Sequence, residues 1–141
     1  MSLLVKLFYW NQSCRGRFYG AFPRAIYRFI SYWLFCTDLH SNVTAGAELR
    51  IYHGIGLVVN PDVVLGRGVI LRHGVTIGNL ILPDGGKSGS PKIGDNVEFG
   101  CGSVCIGDIV IGNNVRIGAN AVVTVSIPDN RTVVGFNRII N

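Results

Sequence analysis

A histidine at position 53 lies between apolar residues and glycines, in the stretch 51–60 that reads IYHGIGLVVN. Imidazole titrates near neutral pH, so an accessible histidine can remove the proton of a hydroxyl while that hydroxyl attacks a carbonyl. The attack creates an oxyanion, which a backbone N–H group at a glycine-rich turn can stabilise. His53 and the glycines around it could therefore support acyl transfer to an alcohol, if the fold turns the imidazole outward.

The cysteines offer no comparable chemistry. Cys14, Cys36, Cys101 and Cys105 form no CxxC pair and lack the spacing to histidine that is typical of a metal site. Reduced thiols in a cytosolic protein are the simplest interpretation. We therefore expect no bound metal, and we expect the last two cysteines to act as small residues of a repeat.

The composition fits one compact domain with many corners. The chain has 141 residues, of which 48% are hydrophobic and 15% charged, and it contains 19 glycines. These values exclude a disordered tail and a solvated helical bundle. Glycine enriched in an apolar chain indicates tight bends, because glycine tolerates backbone angles that other residues avoid.

The segment 1–38 differs from the rest of the chain because it combines basic and aromatic residues. The formal net charge is +5, and most of the excess lies here. We expect a helix from about Pro23 to Cys36. The composition of this segment is compatible with a membrane surface, with nucleic acid, or with a helix that packs its aromatic face on the main domain. Of the external partners we favour the membrane and expect no nucleic acid.

Neither apolar stretch of this segment predicts export or insertion. Residues 29–36 are too few to span a bilayer. The apolar start of the chain is interrupted before it reaches the length of a signal peptide. We therefore expect a cytoplasmic protein, with peripheral contact at the inner membrane face as an alternative.

Aliphatic residues recur at every sixth position from residue 57 onward in two parallel registers, which are interrupted after Ile77 and resume from Ile93. The first register holds Val59, Leu65, Leu71, Ile77, Ile93, Phe99, Cys105, Ile111, Ile117 and Val123. The second lies two residues earlier and holds Leu57, Val63, Val69, Val75, Val97, Ser103, Ile109, Val115 and Ala121. A period of six with two inward positions fits a short strand followed by a corner, and does not fit a helix of period 3.6.

Three such strands make one triangular coil of about eighteen residues, and stacked coils enclose a continuous aliphatic column. We therefore predict an all-β fold, a parallel β-helix over residues 39–141 preceded by a short helical segment. A globular sandwich would have to reproduce the ten positions of the first register by chance.

Two interruptions break the repeat, and functional residues of solenoids concentrate at interruptions. Residues 79–92 read NLILPDGGKSGSPK and do not fit the period of six, so we predict an extruded loop. The repeat also slips at Tyr52-His53-Gly54. A slip of this kind should turn His53 out of the apolar column and toward a groove.

The motifs around these interruptions resemble a known family. HGIGLVV at 53–59, GVTIG at 74–78 and PKI at 91–93 occur in the order typical of the serine O-acetyltransferase branch of hexapeptide-repeat acyltransferases. The variant RHGVTIGN and the short helical segment are similar to relatives of that branch in exopolysaccharide synthesis, the colanic acid biosynthesis acetyltransferases. The resemblance covers roughly residues 39–140 and implies a left-handed β-helix.

The resemblance also implies a donor, an assembly and site residues. Family members transfer an acetyl group from acetyl-coenzyme A directly to the acceptor, at sites between the subunits of a homotrimer. His53 aligns with the catalytic histidine of the family. The positions that contact coenzyme A correspond to Gly78, Asn79, Cys101, Gly102 and Ala119, and candidate partners for its charged end are Arg116, Lys87 and Lys92.

The acceptor site departs from the serine acetyltransferase pattern. That branch places an aspartate before the catalytic histidine and an Arg-His pair before the Pro-Lys motif, where this chain has Tyr52 and Gly89-Ser90. Free serine would lose its charged partners here, whereas an aromatic ring can stack on a sugar. We therefore expect a glycan hydroxyl as the acceptor, close to Tyr52, Ser90 and His73, although the family implies no catalytic role for the last of these.

Three alternatives stay open. The first is O-acetylation of serine, and the second is a non-catalytic β-helix scaffold. The third is a zinc-dependent solenoid similar to carbonic anhydrases, which needs three histidine ligands. The spacing of His40, His53 and His73 gives no reason for these side chains to converge.

Overall fold

The computed structural model describes residues 2–13 and 21–141, with the side chains of the second stretch described from residue 24 onward. Two α-helices, Leu3–Ser13 (α1) and Ala21–Phe29 (α2), come first, and a π-helical turn at Ile30–Leu34 continues α2. Short strands follow: β1 Asp38–Leu39, β2 Thr44–Ala45, β3 Arg50–Tyr52, β4 Val58–Val59, β5 Val64–Leu65, β6 Ile70–Arg72, β7 Thr76–Gly78, β8 Lys92–Ile93, β9 Glu98–Phe99, β10 Val104–Ile106, β11 Val110–Ile111, β12 Arg116–Ile117, β13 Val122–Val123, β14 Thr132–Val134 and β15 Arg138–Ile140.

Consecutive strands from β1 to β13 lie on different faces of a prism, so each sheet takes every third of these strands, and β14 and β15 complete one sheet. Sheet A has the order β1-β4-β7-β10-β13, sheet B the order β2-β5-β8-β11, and sheet C the order β3-β6-β9-β12-β14-β15. Neighbouring strands pair in parallel, except that β15 pairs antiparallel with β14. The predicted parallel β-helix is confirmed.

The core is a column of side chains along the axis of the prism. Every residue of both sixfold registers is buried, as the repeat predicts. Three of them are not aliphatic: Phe99, Ser103 and Cys105. Ser103 satisfies its hydroxyl by donating to the carbonyl of Gly100 at 2.8 Å. Burial raises the pKa of the Cys105 thiol to about 12, so it stays protonated and acts as a small apolar residue.

The helices pack against the first coil of the β-helix. Val5 and Phe8 of α1 and Tyr27 of α2 are fully buried in the same hydrophobic cluster as the strands. The Tyr27 hydroxyl donates to the carbonyl of Leu39 at 2.8 Å. The N-terminal helices are therefore a cap on the apolar column, and we call them the helical cap below.

The helical cap buries one part of its aromatic residues and exposes another. Tyr27 packs inward, as one interpretation of the sequence expects, whereas Phe29, Tyr32 and Trp33 are 65%, 59% and 70% exposed. Helical conformation extends from residue 21 to Phe35, which agrees with the helix predicted at 23–36. The basic and aromatic residues at 15–20, together with Cys14 and the side chain of residue 22, lie outside the described part. Within that part, no helix has the length and hydropathy needed to cross a membrane.

An extruded hairpin of residues 79–91 joins β7 to β8. Ile81 and Lys87 form an antiparallel bridge, and the Leu80 amide donates to the Ser88 hydroxyl at 2.8 Å. The hairpin corresponds to the interruption predicted at 79–92, although Lys92 already belongs to β8.

Candidate active site

The coil that carries His53 is two residues longer than the next one. Asp38 pairs with Val58, twenty positions on, whereas Val58 pairs with Thr76, eighteen positions on. β3 and β6 also pair with a spacing of twenty, so the additional residues lie after Tyr52. The irregularity that the sequence predicts at residues 52–54 is therefore a real insertion at one corner of the first coil.

This insertion gives His53 an unusual backbone and an accessible side chain. Its φ is 53°, in the left-handed region that few non-glycine residues adopt. The side chain is exposed. Eight further non-glycine residues of the described part also have positive φ, so the accessible imidazole, and not the backbone angle, makes His53 a candidate. The imidazole therefore lies outside the apolar column, where a substrate can reach it.

His53 lies at the edge of the prism where sheet C turns into sheet A. We call this edge, formed by residues 53–57, 73–75, 100–103 and 118–121, the histidine edge. Its coils stack through backbone bonds: the Gly74 amide donates to the carbonyl of Ile55, and the Gly102 amide to the carbonyl of His73, each at 2.9 Å. Five predicted site residues share this edge: His53, His73, Cys101, Gly102 and Ala119.

Tyr52 ends β3 on the outer face of sheet C, directly before His53. Its side chain is 44% exposed. The guanidinium of Arg72 lies over the ring, with Cζ 5.6 Å from the ring centroid. Arg72 Nη2 is in turn 2.6 Å from Glu98 Oε1, and this hydrogen bond raises the pKa of the guanidinium. The aromatic ring beside the histidine is thus held by a cation that is itself paired.

Three depressions lie in a row along sheet C, each sharing a lining residue with the next, and we call this row the sheet C groove. A cavity of about 650 Å³ at the first coil is lined in part by Glu48, Arg50 and Tyr52. A second, of about 330 Å³, shares Arg50 and reaches Arg116. A third, also about 330 Å³, shares Arg116 and reaches Ala119. Three of the predicted site residues, Tyr52, Arg116 and Ala119, therefore open onto one groove.

The remaining predicted residues lie elsewhere on the prism. Gly78 and Asn79 are at the edge where sheet A turns into sheet B, and Asn79 Oδ1 accepts a hydrogen bond from the preceding coil at 3.1 Å. Lys87 lies in the hairpin, and Ser90 at its base donates to a backbone carbonyl at 3.2 Å. Lys92 points outward from sheet B. One chain therefore presents these five residues on a different edge from His53.

Comparisons with known proteins agree with this geometry. The family model "Bacterial transferase hexapeptide (six repeats)" matches residues 90–124. The protein named "Putative colanic acid biosynthesis acetyltransferase WcaB" of Escherichia coli strain K12 is 42% identical over 110 residues, which are 78% of this chain and 66% of that protein. A serine acetyltransferase of Staphylococcus epidermidis strain RP62A is 41% identical over 99 residues, 70% of this chain and 46% of that protein. The structure of the soybean serine acetyltransferase apoenzyme matches with a TM-score of 0.86 at 28% identity, over 98% of this chain and 56% of that one. The chain belongs to the hexapeptide-repeat acyltransferases.

The extent of these matches differs between the two groups of relatives. The chain spans 66% of the Escherichia coli protein and about half of the serine acetyltransferases, 46% of one and 56% of the other. The similarity to both groups places this hexapeptide-repeat chain on the serine acetyltransferase-like branch of the family.

Sequence reasoning missed the side chains that surround Tyr52 in this hexapeptide-repeat chain. Arg50 lines the cavity, and Arg72 with Glu98 holds the tyrosine ring. A signal was available, because Arg72 follows Tyr52 by twenty positions, the spacing of the first coil. An assumed spacing of eighteen residues per coil aligns Tyr52 with Ile70 and so misses Arg72.

The third histidine lies apart from the other two. His40 follows β1 at the edge between sheets A and B, whereas His53 and His73 follow strands of sheet C. Among the residues that the structure describes, no group of three or more His, Cys, Asp or Glu side chains could hold a metal ion. The zinc alternative therefore has no ligand cluster in this part of the chain.

Proposed function

We propose that the protein is an acetyl-coenzyme A-dependent O-acetyltransferase that acetylates a sugar hydroxyl in polysaccharide or exopolysaccharide biosynthesis. The observation that carries the proposal is the exposed side chain of His53 at the two-residue insertion. His53 directly follows Tyr52, which lines a cavity of about 650 Å³. The name of the Escherichia coli relative, which refers to colanic acid biosynthesis, adds support.

His53 acts as a general base in direct transfer, without an acyl-enzyme. Its imidazole takes the proton of the acceptor hydroxyl as the oxygen forms a bond to the thioester carbonyl carbon. Backbone N–H groups near the glycine-rich corner stabilise the negative charge that develops on the carbonyl oxygen. As the carbon–sulfur bond breaks, the imidazolium returns the proton to the departing thiolate, so His53 ends the cycle neutral.

The surroundings of Tyr52 favour a sugar over an amino acid as the acceptor. Cavities that hold small molecules commonly measure about 300–1,000 Å³, and the cavity beside Tyr52 lies in that range at about 650 Å³. The tyrosine ring offers an apolar surface for a sugar face, and Glu48 and Arg50 offer partners for hydroxyl groups. The carboxylate and the Arg-His pair that would bind free serine are replaced by Tyr52 and Gly89-Ser90.

The sheet C groove fits an elongated, phosphorylated donor such as acetyl-coenzyme A. Arg116 places a guanidinium group in the part of the groove beyond the acceptor cavity, and guanidinium binds phosphate oxygens strongly. Small residues, Gly100, Gly118 and Ala119, line its far end. We assign the donor positions Gly78, Asn79, Cys101, Gly102, Lys87 and Lys92 to the same ligand, with two edges of the prism contributed by adjacent copies.

A homotrimer would bring these two edges together. In such an assembly the histidine edge of one copy faces the edge of its neighbour that carries Gly78, Asn79 and the hairpin. The site of one copy is then incomplete without its neighbour. We place the trimer in the cytoplasm, with the exposed aromatic residues of the helical cap (Phe29, Tyr32 and Trp33) available for peripheral contact with the inner membrane face.

The test is substitution of the proposed base. His53→Ala should lower acetyl transfer by about 10²–10⁴-fold, because general base catalysis contributes that much. Release of free coenzyme A thiol is measured with nucleotide sugars and glycans as acceptors. His40→Ala, which removes an imidazole from another edge of the prism, is the matched control and should keep full activity. An active His53→Ala variant would contradict the proposal, and a wild type inactive with every acceptor would favour the scaffold alternative.

Serine O-acetylation is the second candidate, favoured by the 41% identity to the Staphylococcus epidermidis serine acetyltransferase. The same assay includes free serine as an acceptor. We expect thiol release with serine to stay near the rate of hydrolysis, because the charged partners of an amino acid are missing. A rate with serine above that of all sugars would replace our proposal by this one.

A further inference from the structure

A buried threonine holds the corner that carries His53. Thr37 is fully buried between the π-helical turn and β1. Its hydroxyl oxygen lies 2.6 Å from the carbonyl oxygen of Gly54 and 3.0 Å from that of Phe35. A hydroxyl has one proton to donate. The shorter contact is the one to Gly54, the residue that follows His53.

Neighbouring backbone bonds tie the same corner to the end of the helical cap. The Gly56 amide donates to the carbonyl of Cys36 at 2.9 Å, and the Leu57 amide donates to the carbonyl of Gly54 at 3.0 Å. The Gly54 carbonyl therefore accepts from both Leu57 and Thr37. With two directional bonds on one oxygen, its peptide plane has little freedom to rotate.

The packing around Gly54 is equally close. A Cβ atom at this position would lie 2.9 Å from Thr37 Oγ1, 3.2 Å from Ile51 Cγ2 and 3.3 Å from Leu4 Cδ2. The corner thus rests directly on α1 and on Thr37. The first coil is two residues longer than the next at this corner, and these contacts add to the backbone bond from the Gly74 amide to the Ile55 carbonyl.

We propose that Thr37 is a positioning residue for His53. Its buried hydroxyl fixes the inserted corner, so that the exposed imidazole keeps one orientation toward the acceptor. The inference rests on the proposed function, since a fixed imidazole matters for rate when His53 is the base. Thr37, which follows the helical cap directly, thereby links the end of the cap to the corner that carries the proposed base.

The experiment compares Thr37→Val, which removes the hydroxyl at nearly constant volume, with Thr37→Ser, which keeps it. Thr37→Val should lower kcat about tenfold and leave the KM for acetyl-coenzyme A unchanged, because misplacement of a catalytic group reduces rate more than donor binding. Thr37→Ser should restore most of kcat. Tyr27→Phe is the matched control: it removes another buried hydroxyl-to-carbonyl bond of the helical cap, to Leu39, and should lower thermal stability without changing kcat.

Equal kcat values for Thr37→Val and Tyr27→Phe would overturn the inference, while loss of activity in His53→Ala would still support the proposed function. The positioning role of Thr37 can also be tested if the proposed function is wrong. If His53→Ala keeps its activity, or no acceptor is found, NMR of histidine-labelled protein tests the corner by itself. Thr37→Val should shift or broaden the His53 ring signals and leave those of His40 unchanged, and an unaltered His53 signal would overturn the inference.

Discussion

His53 and Tyr52 are adjacent in the chain but are ordered in different ways. His53 has a left-handed backbone, and its corner is fixed from inside by buried contacts. Tyr52 belongs to a regular strand, and its ring is fixed from outside by the Arg72–Glu98 pair. An exposed side chain that must keep one orientation needs such support, because solvent offers no packing. At the residue scale, the candidate site is therefore two exposed groups with separate supports.

The role assigned to Tyr52 predicts a specific defect in acceptor binding. Tyr52→Ala should raise the KM for the sugar acceptor by up to about tenfold, since contacts of one aromatic ring contribute about 0.5–1.5 kcal/mol beyond area burial. The KM for acetyl-coenzyme A should stay constant. Steady-state kinetics with both substrates varied measures the two values.

Tyr52→Phe is the control for this prediction, because it keeps the ring and removes the hydroxyl. It should behave as the wild type if stacking is what the position provides. A rise in KM with Tyr52→Phe equal to that with Tyr52→Ala would assign the effect to a hydrogen bond from the hydroxyl, and the stacking argument would be wrong.

At the scale of the elements, each corner of the β-helix is a short turn that repeats along the axis. Asn96, Asn114 and Asn130 occupy one corner in successive coils, and all three have positive φ, between 55° and 60°. Asn96 Nδ2 donates to Asn114 Oδ1 at 3.3 Å, and Asn114 Nδ2 to Asn130 Oδ1 at 3.1 Å. This corner is thus stabilised by the tolerance of asparagine for left-handed angles and by a ladder of side-chain bonds.

Asn114 allows these two contributions to be separated. Asn114→Ala loses both, and we expect the free energy of unfolding to fall by about 1–2 kcal/mol, because alanine lacks the polar side chain with which asparagine tolerates left-handed angles. Asn114→Gly loses the side-chain bonds but tolerates the backbone angle, so it should destabilise the protein less. Urea denaturation followed by circular dichroism measures both values. Equal losses would show that the side-chain ladder, and not the backbone angle, determines stability at this corner.

The regular strands could be predicted from the sequence because each inward position shows as an apolar residue at a short, fixed spacing from the next. Leu65 belongs to the sixfold register before the hairpin and Ile93 starts the register after it, and the two residues pair in sheet B. The supports of the site could not be predicted in this way. Thr37 lies outside the repeat, and the pairing of Tyr52 with Arg72 depends on the length of one corner. Such contacts join residues through the fold, and the local pattern does not encode them.

The same limit applies to the helical cap. Its helix can be predicted, but the choice between inward and outward faces cannot, because aromatic residues occur on both. The structure buries Tyr27 and exposes Trp33, six residues later in the chain. Which of them packs depends on where the first coil ends, and only the three-dimensional arrangement fixes that position.

At the scale of the whole molecule, the three faces of the prism differ in charge. The outward row of sheet C contains Arg50, Glu98 and Arg116, which form part of the sheet C groove. From β4 onward, the outward row of sheet A is uncharged, and the register aligns Val58, Thr76, Val104 and Val122. An uncharged face of β-branched residues is suited to contact with another protein surface, whereas the charged face is suited to a polar ligand.

This asymmetry predicts the interface of the proposed trimer. The wild type should sediment with three times the mass of one chain, and Val104→Glu in the middle of the sheet A row should shift it toward single chains, because a buried unpaired carboxylate is costly. Thr132→Glu places the same charge on sheet C and should leave the trimer intact. Because the proposed site uses edges of two copies, acetyl transfer should fall together with the trimer fraction across a dilution series of Val104→Glu. A wild type that sediments as a single chain and retains full activity would contradict both the interface and the shared site.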